Sequence, residues 1–284
     1  MVNRRVASTT ALLCVLAGCT TLLGIDKDYV EVPGDAGATD GTAESAPPDG
    51  AFDAPPVSDG SVDAGAGFCA KLSPKPTFCD DFDLGNPIGT GWSNISQCIG
   101  CIVAIDNDAS VSPPSSVLTA NTPDANFTEA YLKKVLVTPS TQLIVAQADV
   151  RMEKAPPDPG SAECPLELGI TTASGEWRAR LLAYPAKAEL EEFELGADAS
   201  NTWDWAGLAQ YLTLKTWVRV RIEVDLVALT STVYFDGNKV LAAHPLRFKW
   251  KSGSAHVAAG AVLYRWTWSG SWSFRVDNVI LDAK

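Results

Sequence analysis

Residues 217–227 read Trp-Val-Arg-Val-Arg-Ile-Glu-Val-Asp-Leu-Val, and residues 231–237 read Ser-Thr-Val-Tyr-Phe-Asp-Gly. In the first segment apolar residues alternate with charged residues along almost the whole length. This two-residue period is typical of a half-buried antiparallel strand and fits a helix badly. Asp236 and Gly237 then predict a hairpin turn, because a type I′ turn needs positive φ values that glycine adopts at little cost.

The chain after residue 67 continues in the same way. Short strand-like runs recur from Thr77 to Leu281, separated by Gly, Pro, Asn and Asp, without a sustained helical period. The best helical candidate is the short segment Leu208–Leu214. Many short strands at this spacing predict one all-β domain over residues 68–284, folded as a two-sheet antiparallel β-sandwich.

The N-terminus has the parts of an export signal. Met1–Arg5 is basic, Val6–Leu16 is apolar, and Ala17, Gly18 and Cys19 follow. The apolar run is too short to span the hydrocarbon core of a bilayer, which takes about 20 helical residues. We therefore predict that residues 1–18 are a signal peptide and take no part in the fold.

Leu16-Ala-Gly-Cys19 resembles the lipobox of bacterial lipoproteins. The resemblance implies cleavage before Cys19 and a diacylglyceryl group on its thiol, so that a lipid anchor joins the protein to a membrane. In bacterial lipoproteins, Asp directly after the lipidated cysteine favours retention at the inner membrane. Here Thr20 follows Cys19, so the resemblance implies that the protein is located at the outer membrane or cell surface. The alternative is an ordinary secretory signal with a chance cysteine.

Residues 19–67 are predicted to form a disordered linker. From Val32 to Gly67 they are dominated by Asp, Gly, Ala, Pro and Ser, and they hold one aromatic residue, Phe52. Such a segment cannot bury enough surface to offset its backbone entropy. Ten acidic residues against Lys27 give the linker a net charge of −9, out of −12 for the chain. This acidity indicates a solvated spacer and argues against a nucleic-acid partner.

The folded part resembles the concanavalin A-like, LamG-type group of jelly rolls. The resemblance is carried by Phe78-Cys-Asp-Asp-Phe82 ahead of Gly91-Trp92, by the strand at 217–227, by Val233-Tyr-Phe-Asp-Gly237 and by the closing residues 274–282. It implies that the first and last strands pair. The group contains lectins, carbohydrate-binding modules and glycoside hydrolases, so the fold alone does not decide the function.

Five cysteines belong to the folded part: Cys69, Cys79, Cys98, Cys101 and Cys164. Outside the cytoplasm most of them should be oxidised. We predict a disulfide between Cys69 and Cys79, which bracket a proline-containing loop, and another between Cys164 and either Cys98 or Cys101. The CxxC spacing of Cys98 and Cys101 lacks the helix of a redox motif and further zinc ligands, which argues against both roles.

Glu189-Leu-Glu-Glu-Phe-Glu194 carries the strongest enzymatic signal. It resembles the E-x-D-x-x-E motif of family 16 glycoside hydrolases, which share the sandwich fold. The resemblance implies Glu189 as nucleophile, Glu191 in the place of the helper Asp, and Glu194 as acid/base, with the two outer carboxyls about 5–5.5 Å apart. Glu191 departs from the Asp of the family. The alternative is an acidic strand whose side chains face solvent.

Two groups of aromatic residues suggest a sugar-binding surface: Trp203 with Trp205, and Tyr264 with Trp266 and Trp268. Residues two apart on an extended segment project from one face, so the rings of each group would lie side by side. On an open face they would stack on sugars, with a few polar groups to orient the hydroxyls. The alternative is that they are buried between the sheets.

Asp80, Asp81, Asp83 and Asp277 would come together if the first and last strands pair. Carboxylate oxygens suit calcium, so the sequence raises a structural Ca²⁺ site as one interpretation. The alternative is that these acidic residues discourage pairing between sheet edges. The alternation also slips at Asp277 and Asn278, which predicts a β-bulge there.

The sequence therefore favours an envelope lipoprotein that displays a non-catalytic, lectin-like β-sandwich for glycan or envelope material. Two alternatives remain open: a family-16-like hydrolase that uses Glu189 and Glu194, and a structural or adhesion module. The hydrolase is less favoured than the binding module, because Glu191 stands where the family 16 motif has Asp.

Overall fold

The computed structural model describes residues 67–121, 129–137, 142–155, 159–196, 200–247, 253–261 and 271–284. Within these residues the chain forms one short helix, α1 (Phe68–Lys71), and fifteen strands. The strands are β1 (Phe78–Asp80), β2 (Asn94–Gln97), β3 (Cys101–Asp106), β4 (Ser116–Asn121), β5 (Ala130–Val137), β6 (Leu143–Lys154), β7 (Glu163–Thr172), β8 (Gly175–Ala183), β9 (Ala188–Gly196), β10 (Asn201–Gly207), β11 (Trp217–Asp225), β12 (Thr230–Phe235), β13 (Asn238–Pro245), β14 (Ser254–Ala261) and β15 (Ser273–Ala283). The described part holds no helix with the length and hydropathy needed to cross a membrane.

The strands form two antiparallel sheets. The eight-stranded sheet has the order β13-β12-β11-β6-β15-β4-β3, with β1 added along β15, and the seven-stranded sheet has the order β10-β9-β8-β7-β14-β5-β2. Apolar side chains from both sheets pack into one core, to which β6 and β11 of the first sheet and β7 and β14 of the second contribute. The predicted two-sheet antiparallel sandwich is confirmed.

Residues 217–237 form the strand and hairpin turn that their sequence pattern predicts. In β11, Val218, Val220, Ile222 and Val224 are buried and alternate with partly exposed residues. The turn after β12 has positive φ at Asp236 (50°) and Gly237 (77°), as a type I′ hairpin requires. Hydrophobic burial on one side of the strand therefore sets its register in the sheet.

The ends of the domain pair as the jelly-roll resemblance implied. β1 runs antiparallel to β15, with Phe78 opposite Leu281. The pairing of β15 with β6 shifts register between Asp277 and Ile280, and Asn278 has a φ of 51°. The predicted bulge is therefore present, and the Asp277 carboxylate beside it accepts hydrogen bonds from Val111 N and Ser112 N.

Two local predictions were wrong. Leu208–Leu214 is not helical, because its backbone hydrogen-bonds to both sheets: Leu208 N donates to Ala188 O, and Ala209 N donates to Val240 O. The position of His244 just before Pro245 in the sequence predicts a turn or loop, but His244 lies in β13 opposite Ser231. In both places contacts with distant strands outweigh the local signal.

The cysteines pair only partly as predicted. Cys69 and Cys79 form a disulfide with a Cα–Cα distance of 5.8 Å, which confirms the first pair. Cys98 and Cys101 bond to each other across the turn between β2 and β3, so the predicted bond from Cys164 to one of them is wrong. Cys164 is a free, buried thiol that packs with Leu182 and Tyr184 on the seven-stranded sheet.

Candidate functional site

The face of the seven-stranded sheet that is turned away from the other sheet, here called the outer face, carries polar and aromatic side chains in two cross-strand rows. The first row is Trp205, Glu191, Arg180, Glu167, Ala258 and Lys133, and the second is Trp203, Phe193, Arg178, Gly169, His256 and Val135. The residues between the two rows on β8, β7 and β14 are Ala179, Leu168 and Val257, and these are buried in the core. Residues from six neighbouring strands thus form one composite surface.

Two indole rings form the aromatic edge of this surface. Trp203 and Trp205 lie on the edge strand β10, and they are 45% and 47% exposed. The Trp203 ring contacts Phe193 at 5.7 Å between centroids, and Trp205 Nε1 donates a hydrogen bond to Glu191 Oε1 at 3.2 Å. The two rings therefore share a face, as their spacing predicted, and are not buried between the sheets.

Phe193 connects the aromatic edge to the charged centre of the outer face. The guanidinium of Arg180 lies 4.9 Å from the centroid of the Phe193 ring, and that of Arg178 lies 5.9 Å from it. Both distances suit cation–π attraction. The arginines thereby hold the Phe193 ring in place beside Trp203.

Glu167 is the buried centre of the charged network. It accepts a hydrogen bond from Arg180 Nε at 2.8 Å and lies 3.1 Å from His256 Nε2. Burial alone would raise the pKa of Glu167, but the bond to His256 and the charges of Arg178 and Arg180 outweigh it and lower this pKa well below its usual range. Glu167 is therefore a carboxylate that holds the centre of the sheet together.

His256 lies under this network and is fully buried. Its ring covers Gly169, where an added Cβ would lie 2.3 Å from the ring. Only glycine leaves room for the imidazole at that position. Because no part of His256 is exposed, a bound ligand would meet the groups above it and not the imidazole itself.

Glu167, Arg178, Arg180 and His256 were not predicted as site residues from the sequence. A signal existed: Arg178 and Arg180 are two residues apart in the sequence, so on an extended segment they share the face opposite Trp177 and Ala179. The partner strand and its register were needed to bring Glu167 beside Arg180. These two pieces of information come from the structure alone.

The structure does not bring Glu189 and Glu194 together. The register of β8 with β9 is unbroken from Gly175–Gly196 to Ala183–Ala188, so no bulge changes the alternation. Glu194 lies opposite Trp177, a core residue, whereas Glu189 lies on the outer face. The two carboxylates of the glycosidase hypothesis are thus on opposite sides of the sheet.

Glu189 and Glu191 share the outer face but are both engaged. Glu189 accepts hydrogen bonds from Tyr184 Oη at 2.9 Å and from Lys187 Nζ at 2.7 Å. Glu191 accepts from Arg180 Nη1 at 3.2 Å as well as from Trp205. The next outer-face residue of β9 is Phe193, so the carboxylate that would complete the motif of the hydrolases is missing there.

The acidic residues proposed as calcium ligands instead accept hydrogen bonds from other groups of the protein. Asp80 accepts hydrogen bonds from Trp92 Nε1 at 2.6 Å and from Phe82 N, and Asp81 accepts one from Cys69 N at 2.8 Å. These bonds hold the chain around β1. Among the described residues, no three His, Cys, Asp or Glu side chains are arranged to hold a metal.

Asp83 and Asp277 secure the loop that precedes β4. Asp83 accepts a hydrogen bond from Ser115 N, and Asp277 accepts from Val111 N and Ser112 N at 2.8 and 2.9 Å. Burial raises the pKa of Asp277 to about 6, although these amide donors oppose the shift. Their carboxylates stabilise loops and form no common ligand set.

The remaining predicted residues lie outside the described part. Tyr264, Trp266 and Trp268 belong to residues 262–270, and Cys19 belongs to residues 1–66. The candidate site is therefore built from Trp203, Trp205 and the charged network behind them.

Comparison with known proteins identifies the fold. No protein family model and no curated protein matches the sequence. Among solved structures, an endo-β-1,4-glucuronan lyase from the fungus Trichoderma reesei superposes with a TM-score of 0.55 at 11% identity, covering 74% of this chain and 96% of the lyase. The cellulose-induced protein Cip1 superposes with a TM-score of 0.53 at 13% identity, covering 73% and 97%. With its two antiparallel sheets, this chain has a jelly-roll β-sandwich fold.

Proposed function

We propose that this protein binds polysaccharide without cleaving it, on the outer face of the seven-stranded sheet. The observation that carries the proposal is the pair of indoles at Trp203 and Trp205, each almost half exposed on one face. Large aromatic rings left beside oriented polar groups are the usual form of a sugar-stacking surface. Glu191, which already orients Trp205, supplies a carboxylate next to the rings.

Two features favour binding over hydrolysis. The two carboxylates of a glycosidase must face the same glycosidic bond, about 5 to 9.5 Å apart depending on mechanism. Glu189 and Glu194 lie on opposite faces of β9, and Phe193 occupies the outer face between Glu191 and the strand end. The one histidine of the outer face, His256, is fully buried and would not reach a substrate.

The polysaccharide-binding domain is proposed to be attached to the cell envelope through Cys19. The lipobox-like sequence ending at Cys19 supports this, as does an acidic linker that reaches roughly 40 Å if flexible. A Cys19→Ser variant made in a bacterial host should lose radiolabelled palmitate and leave the membrane fraction. Retention of the label in that variant would contradict the anchor, and the polysaccharide-binding proposal would be unaffected.

Polysaccharide binding is tested by affinity electrophoresis of the wild type and of Trp203→Ala and Trp205→Ala. Each substitution should weaken binding about tenfold, equivalent to about 1.4 kcal/mol. Tyr234→Ala is the matched control, since Tyr234 lies on β12 of the other sheet and contacts Arg221 there. The proposal would be refuted if a polysaccharide retards the wild type and all three variants equally. It would also be refuted if no polysaccharide retards the wild type.

A further inference from the structure

We infer that the ligand is an uncharged glycan, and that carboxylates of the outer face exclude acidic polysaccharides by occupying its cations. The inference rests on the function proposed above and narrows it. It follows from how each cation of the outer face is paired, which sequence alone does not show.

Glu176 of β8 pairs with the two most accessible described cations on the strands of the outer face. Its carboxylate lies 2.6 Å from Arg178 Nη2 and 3.5 Å from Lys133 Nζ. The side chains of Arg178 and Lys133 are 24% and 22% exposed, so solvent reaches both. An acidic sugar approaching either cation would have to displace Glu176.

The other described cations of the outer face are also paired with carboxylates. Arg180 lies between Glu167 at 2.8 Å and Glu191 at 3.2 Å, and it is nearly buried. Lys187, in the turn from β8 to β9, lies 2.7 Å from Glu189. Every described lysine and arginine on the outer face thus has a carboxylate partner from the protein.

This pairing sets the class of ligand. A uronate polymer would bring carboxylates next to Glu176, Glu189 and Glu191, where every cation in the described part of the outer face already has a partner. Like charges brought together in an interface are costly. A neutral sugar carries no such penalty. Its hydroxyls would donate to carboxylate oxygens at Glu191, while its apolar face stacks on Trp205 and Trp203.

The test compares the affinities of the full-length protein for neutral and acidic polymers. Mixed-linkage β-glucan, xyloglucan and dextran serve as neutral probes, and polyglucuronate and alginate serve as acidic probes, each at low and high salt. The wild type should bind at least one neutral polymer more than about tenfold more tightly than either acidic polymer. Binding to the neutral polymer should change little with salt.

Glu176→Gln removes the carboxylate, so that Lys133 loses its partner and Arg178 keeps only Glu167, whose carboxylate lies 3.6 Å from Arg178 Nη1. The ratio of acidic to neutral affinity should rise about tenfold, and the gain should disappear at high salt. Glu223→Gln is the matched control, because Glu223 pairs with Arg221 on the outer face of the other sheet and the change in net charge is the same. Melting curves check that both variants fold.

The outcomes separate the two proposals. Tight, salt-sensitive binding of the wild type to an acidic polymer would overturn the inference while the polysaccharide-binding function stands. An unchanged affinity ratio in folded Glu176→Gln, or an equal rise in Glu223→Gln, would also overturn it. If the wild type binds no polymer of either class, the proposed function itself fails.

Discussion

Trp205 and Glu191 lie directly opposite each other on β10 and β9, and the indole nitrogen of one donates to the carboxylate of the other at 3.2 Å. The same carboxylate accepts from Arg180 at 3.2 Å. Glu191 therefore links an exposed aromatic ring on the edge strand to the buried charged centre of the sheet. The orientation of Trp205 depends on a network that extends through Glu167 to His256.

We expect Glu191→Ala to weaken polysaccharide binding by about tenfold. The substitution removes the acceptor of the indole and leaves Arg180 with one carboxylate fewer, and a hydrogen bond to a charged group contributes about 1.5–3 kcal/mol. Glu191→Gln keeps an acceptor and should lose less. Isothermal titration measures both variants, and equal affinities in Glu191→Ala and the wild type would show that Glu191 does not position the ring.

The positions of Glu189 and Glu194 predict an absence of glycosidase activity. Two carboxylates on opposite faces of one strand cannot act on one bond. Release of reducing ends from each polysaccharide that binds should equal the background, in the wild type and in Glu189→Gln and Glu194→Gln alike. Hydrolysis by the wild type that both variants abolish would contradict the observed register.

The strand at 217–225 could be predicted from the alternation of apolar and charged residues. This alternation shows both the two-residue period of a strand and which side chains are buried. The same alternation placed Trp203 and Trp205 on one side of an extended segment. Neither conclusion needed any knowledge of the neighbouring strand. Local pattern was enough wherever one side of a strand faces the core.

The charged centre could not be predicted, because it depends on cross-strand register. Arg180 meets Glu167 only if β7 and β8 pair in one particular alignment, and a shift by one residue would turn one of them toward the core. The same limit explains Cys164: its position on the outer face of β7 follows from an irregularity between Glu163 and Leu166. A sequence pattern does not show such a register shift.

The disulfide pattern predicts a specific result in peptide mapping. Under non-reducing conditions, Cys69 should be joined to Cys79 and Cys98 to Cys101. Cys164 is buried, and burial raises the pKa of its thiol well above the usual value, so iodoacetamide should modify it only after denaturation. A peptide joining Cys164 to Cys98 or Cys101 would show that the cysteines pair as the sequence first suggested.

The low pKa of Glu167 predicts that acid weakens the fold. A carboxylate whose pKa is lower in the folded than in the unfolded state stabilises the protein above its unfolded value, here 4.5, and that stabilisation declines as the pH falls below it. Glu167→Gln should cost about 3–5 kcal/mol at pH 7, because Arg180 and His256 lose a buried partner. The difference in stability between wild type and variant should shrink between about pH 4.5 and pH 3.

Urea unfolding from pH 7 to pH 3 measures this difference for Glu167→Gln and, as a control, for Glu223→Gln on the other sheet. Glu223 pairs with a partly exposed arginine, so its replacement should cost about 1 kcal/mol or less. A difference for Glu167→Gln that stays constant down to pH 3 would mean that Glu167 titrates alike in the folded and unfolded chains. The ion pairs of Glu167 with Arg180 and His256 would then not stabilise the folded sheet.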